Sequence, residues 1–173
     1  MKRSPWLVLA LTVPTVASAQ QGAVAAPDVP AAIRPPAGQT AYLEALATGV
    51  QIYECSRKGD SGYEWAFKAP EAALADRSGK SLGKHYIGPT WESTDGSTVV
   101  GQVAGRDPGP TATAIPWLLL SAKSNTGSGT FSAAKSIQRI FTAGGIAPAA
   151  PCALASLKEV ARVPYTATYY FYR

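Results

Sequence analysis

GKHYIGPTWESTDGSTVVG, residues Gly83–Gly101, contains the strongest indication of the fold class. It contains an Asp95-Gly96 pair, which lies between Trp91-Glu92-Ser93 and the β-branched run Thr98-Val99-Val100. An Asp-Gly pair in this setting favours a tight hairpin turn, because such turns need residues that adopt positive φ. The stretch therefore predicts two antiparallel strands joined at Asp95-Gly96.

The sequence on both sides of this hairpin has the same character. Apolar and aromatic residues alternate with polar ones at 50–55, 63–69 and 136–142, and segments with Gly or Pro separate such runs. Pro70 predicts the end of one strand. Many short strands, without the helical segments of a βαβ fold, are typical of all-β proteins. We predict an all-β fold: an antiparallel β-sandwich or barrel-like single domain with at most short helical turns.

The N-terminal segment predicts export from the cell. Lys2 and Arg3 precede an apolar run at 6–13, and a small-residue cleavage site follows at 17–19, so residues 1–19 are predicted to be a signal peptide cleaved after Ala19. The apolar run is shorter than the ~20 residues that span a bilayer, so no stable membrane insertion is expected. The mature protein would be periplasmic or extracellular.

The chain after the cleavage site divides into two parts. Residues 20–38 are rich in Ala and Pro and have few large apolar side chains, which predicts a flexible leader. Residues 39–173 suit a single β domain in length. The formal net charge is only +5 before Lys2 and Arg3 are removed, too little to indicate nucleic acid as a partner. The oligomeric state is left open.

Cys55 and Cys152 are the two cysteines of the chain. Exported proteins meet an oxidising environment, where a pair of cysteines usually forms a disulfide. The spacing is not that of a C-x-x-C redox motif. We therefore predict a disulfide that closes a loop of roughly a hundred residues.

Six segments together show a characteristic order and spacing: GVQIYEC (Gly49–Cys55), WAFKAPEAAL (Trp65–Leu74), the opening stretch (Gly83–Gly101), IPWLLLSA (Ile115–Ala122), IQRIFTAGGIAP (Ile137–Pro148) and VPYTATYYFY (Val163–Tyr172). In these segments the chain resembles one family, domain of unknown function 3455, of exported bacterial and fungal proteins. The resemblance covers about residues 40–172 and implies an exported single domain of unassigned activity; it supplies no established catalytic residues.

His85 is the only histidine, and Glu92 and Asp95 follow it closely. A histidine beside a carboxylate can act as a base and its orienting partner in hydrolysis, so these three residues are the candidate catalytic set of a small hydrolase or metal-dependent enzyme. They supply few ligands for a metal ion, and we predict neither a metal site nor a cofactor. We favour structural roles: hydrogen bonds that fix His85 on a strand or loop, and pairing of Glu92 with Lys84 or Arg139.

Tyr86 and Trp91 flank Gly88-Pro89 and are the candidate ligand-binding aromatics, with Arg139 as a polar candidate for the same cleft. Tyr and Trp combine an apolar face with a polar edge, which suits a glycan or a small apolar ligand. Our leading hypothesis is therefore an exported β domain that binds such a ligand at the cell envelope or outside the cell. The alternatives are the enzyme described above and a structural envelope protein without a ligand.

Overall fold

Eight antiparallel strands form one sheet that closes into a barrel, in which each strand pairs with the next and the last pairs with the first. The computed structural model describes residues 24–60 and 62–173, so the predicted signal peptide lies outside the described residues. The prediction of an all-β fold is confirmed. The strands are β1 (Ala41–Arg57), β2 (Tyr63–Ala75), β3 (Ser81–Tyr86), β4 (Thr90–Ser93), β5 (Thr98–Asp107), β6 (Trp117–Thr126), β7 (Ser136–Gly144) and β8 (Val160–Tyr172), with single 3₁₀ turns at Ala31–Ile33 and Leu154–Ser156.

The predicted hairpin joins β4 and β5, which pair antiparallel. The Ser93 amide donates to the Ser97 carbonyl at 2.9 Å, and the Gly96 amide donates to the Ser93 carbonyl at 3.0 Å. Gly96 has φ +82°, a left-handed conformation that glycine adopts without steric cost. The loop therefore has three residues and ends in a left-handed glycine, which is a common hairpin form.

The second strand differs from its prediction, because β2 continues through Pro70 instead of ending there. Pro70 pairs with Gln51 of β1, whereas the pairing of β2 with β3 begins only at Ala72. Proline lacks an N–H group and is tolerated in a strand where no neighbour requires that donor. The unpaired side of β2 at Pro70 provides such a position.

The core occupies the interior of the barrel, where alternate residues of the strands point. Phe131, from the β6–β7 loop, packs on Phe171 of β8 with ring centroids 4.6 Å apart, and both side chains are fully buried. Phe171 in turn meets the edge of Trp91 at 6.1 Å. Aromatic packing thus fills the barrel at the end that carries the β4–β5 and β6–β7 loops.

Residues 29–34, which we call the strap, cover an apolar patch on the outside of the barrel. Val29 and Ile33 are buried against outward-facing side chains of β6, β7 and β8. The Gln138 amide donates to the Ile33 carbonyl at 2.7 Å. At Gly105 a Cβ atom would lie 2.1 Å from the Ala32 carbonyl oxygen, so glycine permits the close approach of the strap. The patch consists of Trp117, Leu119, Ile140, Tyr170 and Tyr172.

The strap lies within residues 20–38, for which we predict a flexible leader. The Ala- and Pro-rich composition of these residues is typical of a segment without a core of its own. Two apolar side chains, Val29 and Ile33, are nevertheless enough to hold it, because the barrel offers them an apolar face. The composition of residues 20–38 carries no information about this face, because the face belongs to β6, β7 and β8.

The predicted disulfide joins Cys55 to Cys152. It connects the end of β1 to the long connection between β7 and β8, and the Trp65 indole holds the same connection by donating to the Ala150 carbonyl at 2.9 Å. Separately, none of the helices in the described part of the chain has the length and hydrophobicity needed to cross a membrane.

Candidate functional site: a cavity inside the barrel

A cavity of about 430 Å³ occupies the barrel at the end opposite the packed rings of Phe131 and Phe171. Its mouth is formed by exposed residues, among them Phe67, Val103 and Arg106, near the β3–β4 turn and the β5–β6 connection. Its deeper wall is buried and largely apolar. The buried wall residues are Gln51, Tyr53, Pro70, His85, Trp91, Ile115, Leu118, Leu120 and Tyr169.

His85 and Trp91 form one wall of this cavity. They are register partners on β3 and β4, and their rings stack with centroids 4.3 Å apart and planes 13° apart. Tyr169 of β8 meets both rings edge-on, at 5.2 Å from His85 and 5.4 Å from Trp91. His85 and Trp91 are 3% and 1% exposed, so this wall is tightly packed.

The His85 imidazole is held neutral. Burial lowers its pKa to about 3, because the charged form would lose its hydration inside the barrel. Its Nδ1 lies 2.9 Å from the Thr90 carbonyl oxygen. A carbonyl can only accept, so we assign the proton of the neutral ring to Nδ1 and the lone pair to Nε2.

Arg139 brings a positive charge to the cavity wall. It lies on β7, in register with Leu118 of β6 and Tyr169 of β8. Its guanidinium donates from Nε and Nη2 to the Pro116 carbonyl, at 3.2 and 2.8 Å. These bonds hold the guanidinium against the cavity wall.

Glu92 lies on the outer face of the barrel, away from the cavity. Successive residues of a strand point to opposite faces, so Glu92 lies opposite Trp91, as Tyr86 lies opposite His85. The Glu92 carboxylate accepts from the Tyr86 hydroxyl at 2.8 Å and pairs with Lys84 at 3.2 Å. The Tyr86 hydroxyl and the Lys84 ammonium lower the pKa of Glu92. These three residues form a network on the barrel exterior.

Asp95 has a third location, in the β4–β5 turn. One carboxylate oxygen accepts from the Ser97 amide and hydroxyl at 2.9 and 2.5 Å. The other accepts from the Thr130 amide and hydroxyl at 2.8 and 2.7 Å. These bonds, the Ser97 hydroxyl first, lower the pKa of Asp95 and tie the hairpin to the β6–β7 loop. The Asp95 carboxylate thus links the two loops at the end of the barrel that aromatic side chains fill.

The structure does not bring the candidate catalytic residues together. His85 points into the barrel, Glu92 points out of it, and Asp95 is committed to a turn. No group of three or more His, Cys, Asp or Glu side chains with metal-binding geometry occurs among residues 24–60 and 62–173. The separation follows from strand alternation, which places residues 85 and 92 on opposite faces of a paired hairpin.

The candidate ligand-binding residues are also divided between the two faces. Trp91 and Arg139 line the cavity, whereas Tyr86 borders a shallow groove of about 450 Å³ on the exterior. Trp91 and Tyr86 therefore do not share one cleft, because Trp91 faces the barrel interior and Tyr86 the exterior. Sequence reasoning missed Gln51 and Tyr169 as cavity residues. Alternation along β1 and β8 could have grouped them by face, but not identified the face that encloses space.

Comparison with known proteins identifies a family. A family model described as "Protein of unknown function (DUF3455)" matches residues 36–173, which include all eight strands. A search of curated proteins finds no match, and neither does a search of solved structures.

Proposed function

We propose that this chain, which belongs to the DUF3455 family of proteins of unknown function, is an exported binding protein that holds a small, largely apolar molecule inside its barrel. The observation that carries the proposal is the open, preformed cavity beside the stacked rings of His85 and Trp91. A barrel of this kind can enclose a ligand while its strands remain fully paired.

The size and lining of the cavity support a small-molecule ligand. Its volume of about 430 Å³ lies within the range of roughly 300–1,000 Å³ that is typical of small-molecule sites. Aliphatic side chains such as Leu118 and Leu120 form one part of the wall, and the His85–Trp91 stack forms another. Contact with such a wall favours a flat or aromatic ligand, which packs against rings with little loss of conformational freedom.

The outer face is less suited to a glycan. The Tyr86 hydroxyl is engaged by Glu92, and the Lys84 ammonium lies 5.5 Å from the centroid of the Tyr86 ring. A sugar that stacked on Tyr86 would have to displace that cation. The interior, where the stacked rings of His85 and Trp91 lie beside a largely apolar wall, is the better binding surface.

The disulfide supports an exported location. Disulfides persist in oxidising compartments such as the periplasm and the extracellular medium, and are rare in the cytosol. The Cys55–Cys152 bond lies at the end of the barrel that carries the cavity mouth. A location outside the cytoplasm would expose this mouth to molecules of the cell envelope or the surroundings.

Blocking the cavity mouth tests the binding function. Val103 lines the mouth and is 39% exposed, so Val103→Trp should place an indole across it without disturbing the core. The neutral fluorescent probe N-phenyl-1-naphthylamine should gain fluorescence with the unmodified protein, and Val103→Trp should weaken its affinity at least about tenfold, or about 1.4 kcal/mol. Fluorescence titration gives both dissociation constants.

Val160→Trp is the matched control, because Val160 is 59% exposed and does not line the cavity. It should bind the probe as the unmodified protein does. Thermal unfolding of both variants checks that the fold is retained. The proposal is contradicted if the probe gains no fluorescence with the unmodified protein, or if the two variants bind equally well.

A further inference from the structure

The charged side chains that line the cavity all have the same sign. Arg106 and Lys68, which pairs with Glu54 outside the cavity lining, are at the exposed mouth, and Arg139 lies deeper in the wall without an acidic partner. No Asp or Glu residue lines the cavity as the structure describes it. A concave, low-dielectric site lined by one sign of charge concentrates ligands of the opposite sign.

Arg139 has no carboxylate partner. The structure describes six ion pairs in residues 24–60 and 62–173, and none of them involves Arg139. The rest of the chain contains no Asp or Glu. A guanidinium carries five N–H donors. The Nε and Nη2 of Arg139 donate to the Pro116 carbonyl and the Tyr169 hydroxyl lies beside the group, so these neutral partners do not use all five donors. A partly buried positive charge with spare donors is costly unless an anion meets it.

The polar neighbours of Arg139 do not neutralise it. Burial raises the pKa of Tyr53 and Tyr165, and burial together with Tyr165 raises that of Tyr169 further, so all three remain neutral phenols. The positive charge of Arg139 opposes each of these shifts only in part. His85 is neutral as well. The wall around the guanidinium thus contains dipoles but no negative charge.

Gln51 adds a second unsatisfied donor to the same wall. Its side chain is 2% exposed and lines the cavity, and its amide nitrogen makes no hydrogen bond of normal geometry within the described residues. Gln51 is also a neighbour of Tyr165, whose pKa burial raises and the Gln51 side chain lowers in part. Unpaired buried donors are rare in native structures and often indicate a partner that is absent.

We infer that the ligand of this cavity carries a carboxylate, and that Arg139 is the residue that receives it. The inference rests on the proposed binding function and names the chemical class of its ligand: a small aromatic or otherwise flat carboxylic acid. The guanidinium matches the planar carboxylate, because its parallel N–H groups can donate to both oxygens. The apolar body of the ligand would lie against Trp91, Leu118 and Leu120.

A matched pair of ligands tests the charge requirement directly. The probes are 2-naphthoate and its neutral counterpart 2-naphthylmethanol, measured by isothermal titration calorimetry at neutral pH, where the acid is ionised. The unmodified protein should bind the acid at least about tenfold more tightly than the alcohol, because a charge-assisted bond to a partly buried guanidinium exceeds a neutral one. Arg139→Gln should reduce the acid-to-alcohol ratio to about one.

Two further variants control this comparison. Arg162→Gln removes an exposed arginine that pairs with Glu71 outside the cavity lining, and it should keep the full preference. Arg139→Lys keeps the charge but loses the planar fork, so it should retain part of the preference. Partial unfolding of a variant would weaken both probes alike, and the ratio of affinities therefore reports the role of the charge.

The results separate this inference from the function on which it rests. If the unmodified protein binds the acid and the alcohol equally well, or if Arg139→Gln keeps the preference, the carboxylate inference is overturned and the binding function stands. If neither probe binds the unmodified protein, both are overturned. Preference for the acid that depends on Arg139 supports both.

Discussion

His85 shows how burial changes the chemistry of a single residue. Its ring is stacked on Trp91, bonded to the Thr90 carbonyl and almost completely excluded from solvent. These contacts hold it as a neutral wall of the cavity, with its lone pair assigned to Nε2. In this state the residue contributes shape and one hydrogen-bond acceptor, and the positive charge of the wall comes from Arg139.

The buried imidazole makes stability depend on pH. The pKa of His85 is about 3 in the folded protein and 6.5 in an unfolded chain, so at intermediate pH the unfolded state binds one more proton. The stability that the protein gains by keeping His85 neutral is fully present above pH 6.5 and is lost as the pH falls toward 3. Between pH 6.5 and 5 the free energy of unfolding should fall by about 1.5 kcal/mol. Urea denaturation at each pH measures it.

His85→Gln is the control for this prediction, because His85 is the only histidine and carboxyl groups remain largely ionised above pH 5. The variant should show a nearly flat profile between pH 6.5 and 5, whatever its absolute stability. An equally steep fall in the variant would show that another group is responsible.

At the level of elements, the strap allows the outer face of the barrel to be apolar. β7 has buried residues on both faces: Ile137 points inward, while Gln138 and Ile140 lie beneath the strap. A strand in a one-layer barrel normally has one solvated face. The strap provides a second layer over this part of the sheet and explains why β6, β7 and β8 are apolar on both sides.

Truncating the strap at its anchor should destabilise the barrel. Ile33 is fully buried, so Ile33→Ala should lower the free energy of unfolding by about 2–4 kcal/mol through lost burial and a residual cavity. Ile87→Ala removes the same atoms from a side chain that is 63% exposed, and should change stability by less than about 0.5 kcal/mol. Urea denaturation compares the two variants. Equal effects would mean that the strap does not anchor on the barrel.

At the scale of the whole molecule, ring closure and one covalent bond hold the chain together. The barrel closes where β1 pairs with β8 along almost their full lengths, from Ala41 with Tyr172 to Glu54 with Val160. The disulfide joins residues that are 97 positions apart and lies near this seam. Such a bond restricts the unfolded chain much more than the folded one.

Removing the disulfide should therefore cost stability without changing the fold. The double variant Cys55→Ala/Cys152→Ala is expected to lose about 2–4 kcal/mol of unfolding free energy, while far-UV circular dichroism stays the same. Reduction of the unmodified protein should shift its urea midpoint in the same direction. Identical midpoints before and after reduction would contradict this prediction.

Local signals in the sequence account for much of this architecture. The Asp95-Gly96 turn, the alternating strands and the Cys55–Cys152 pair could be predicted because each depends on neighbouring residues or on a simple count. The continuation of β2 through Pro70 could not, because it depends on where β3 begins to pair. The packing of the strap depends in the same way on distant residues, because its partner is a face built from three other strands.

The candidate site shows the same contrast between features that depend on neighbouring residues and features that depend on distant ones. The residue pattern within each strand sets side-chain alternation, and alternation already separates His85 from Glu92 once β3 and β4 are paired. The choice of a closed barrel over a sandwich, and with it the position of Trp91 and Arg139 on the side that encloses space, emerged only in the folded chain. Barrel closure depends on hydrogen bonds between strands more than a hundred residues apart, whereas alternation is a local property of each strand.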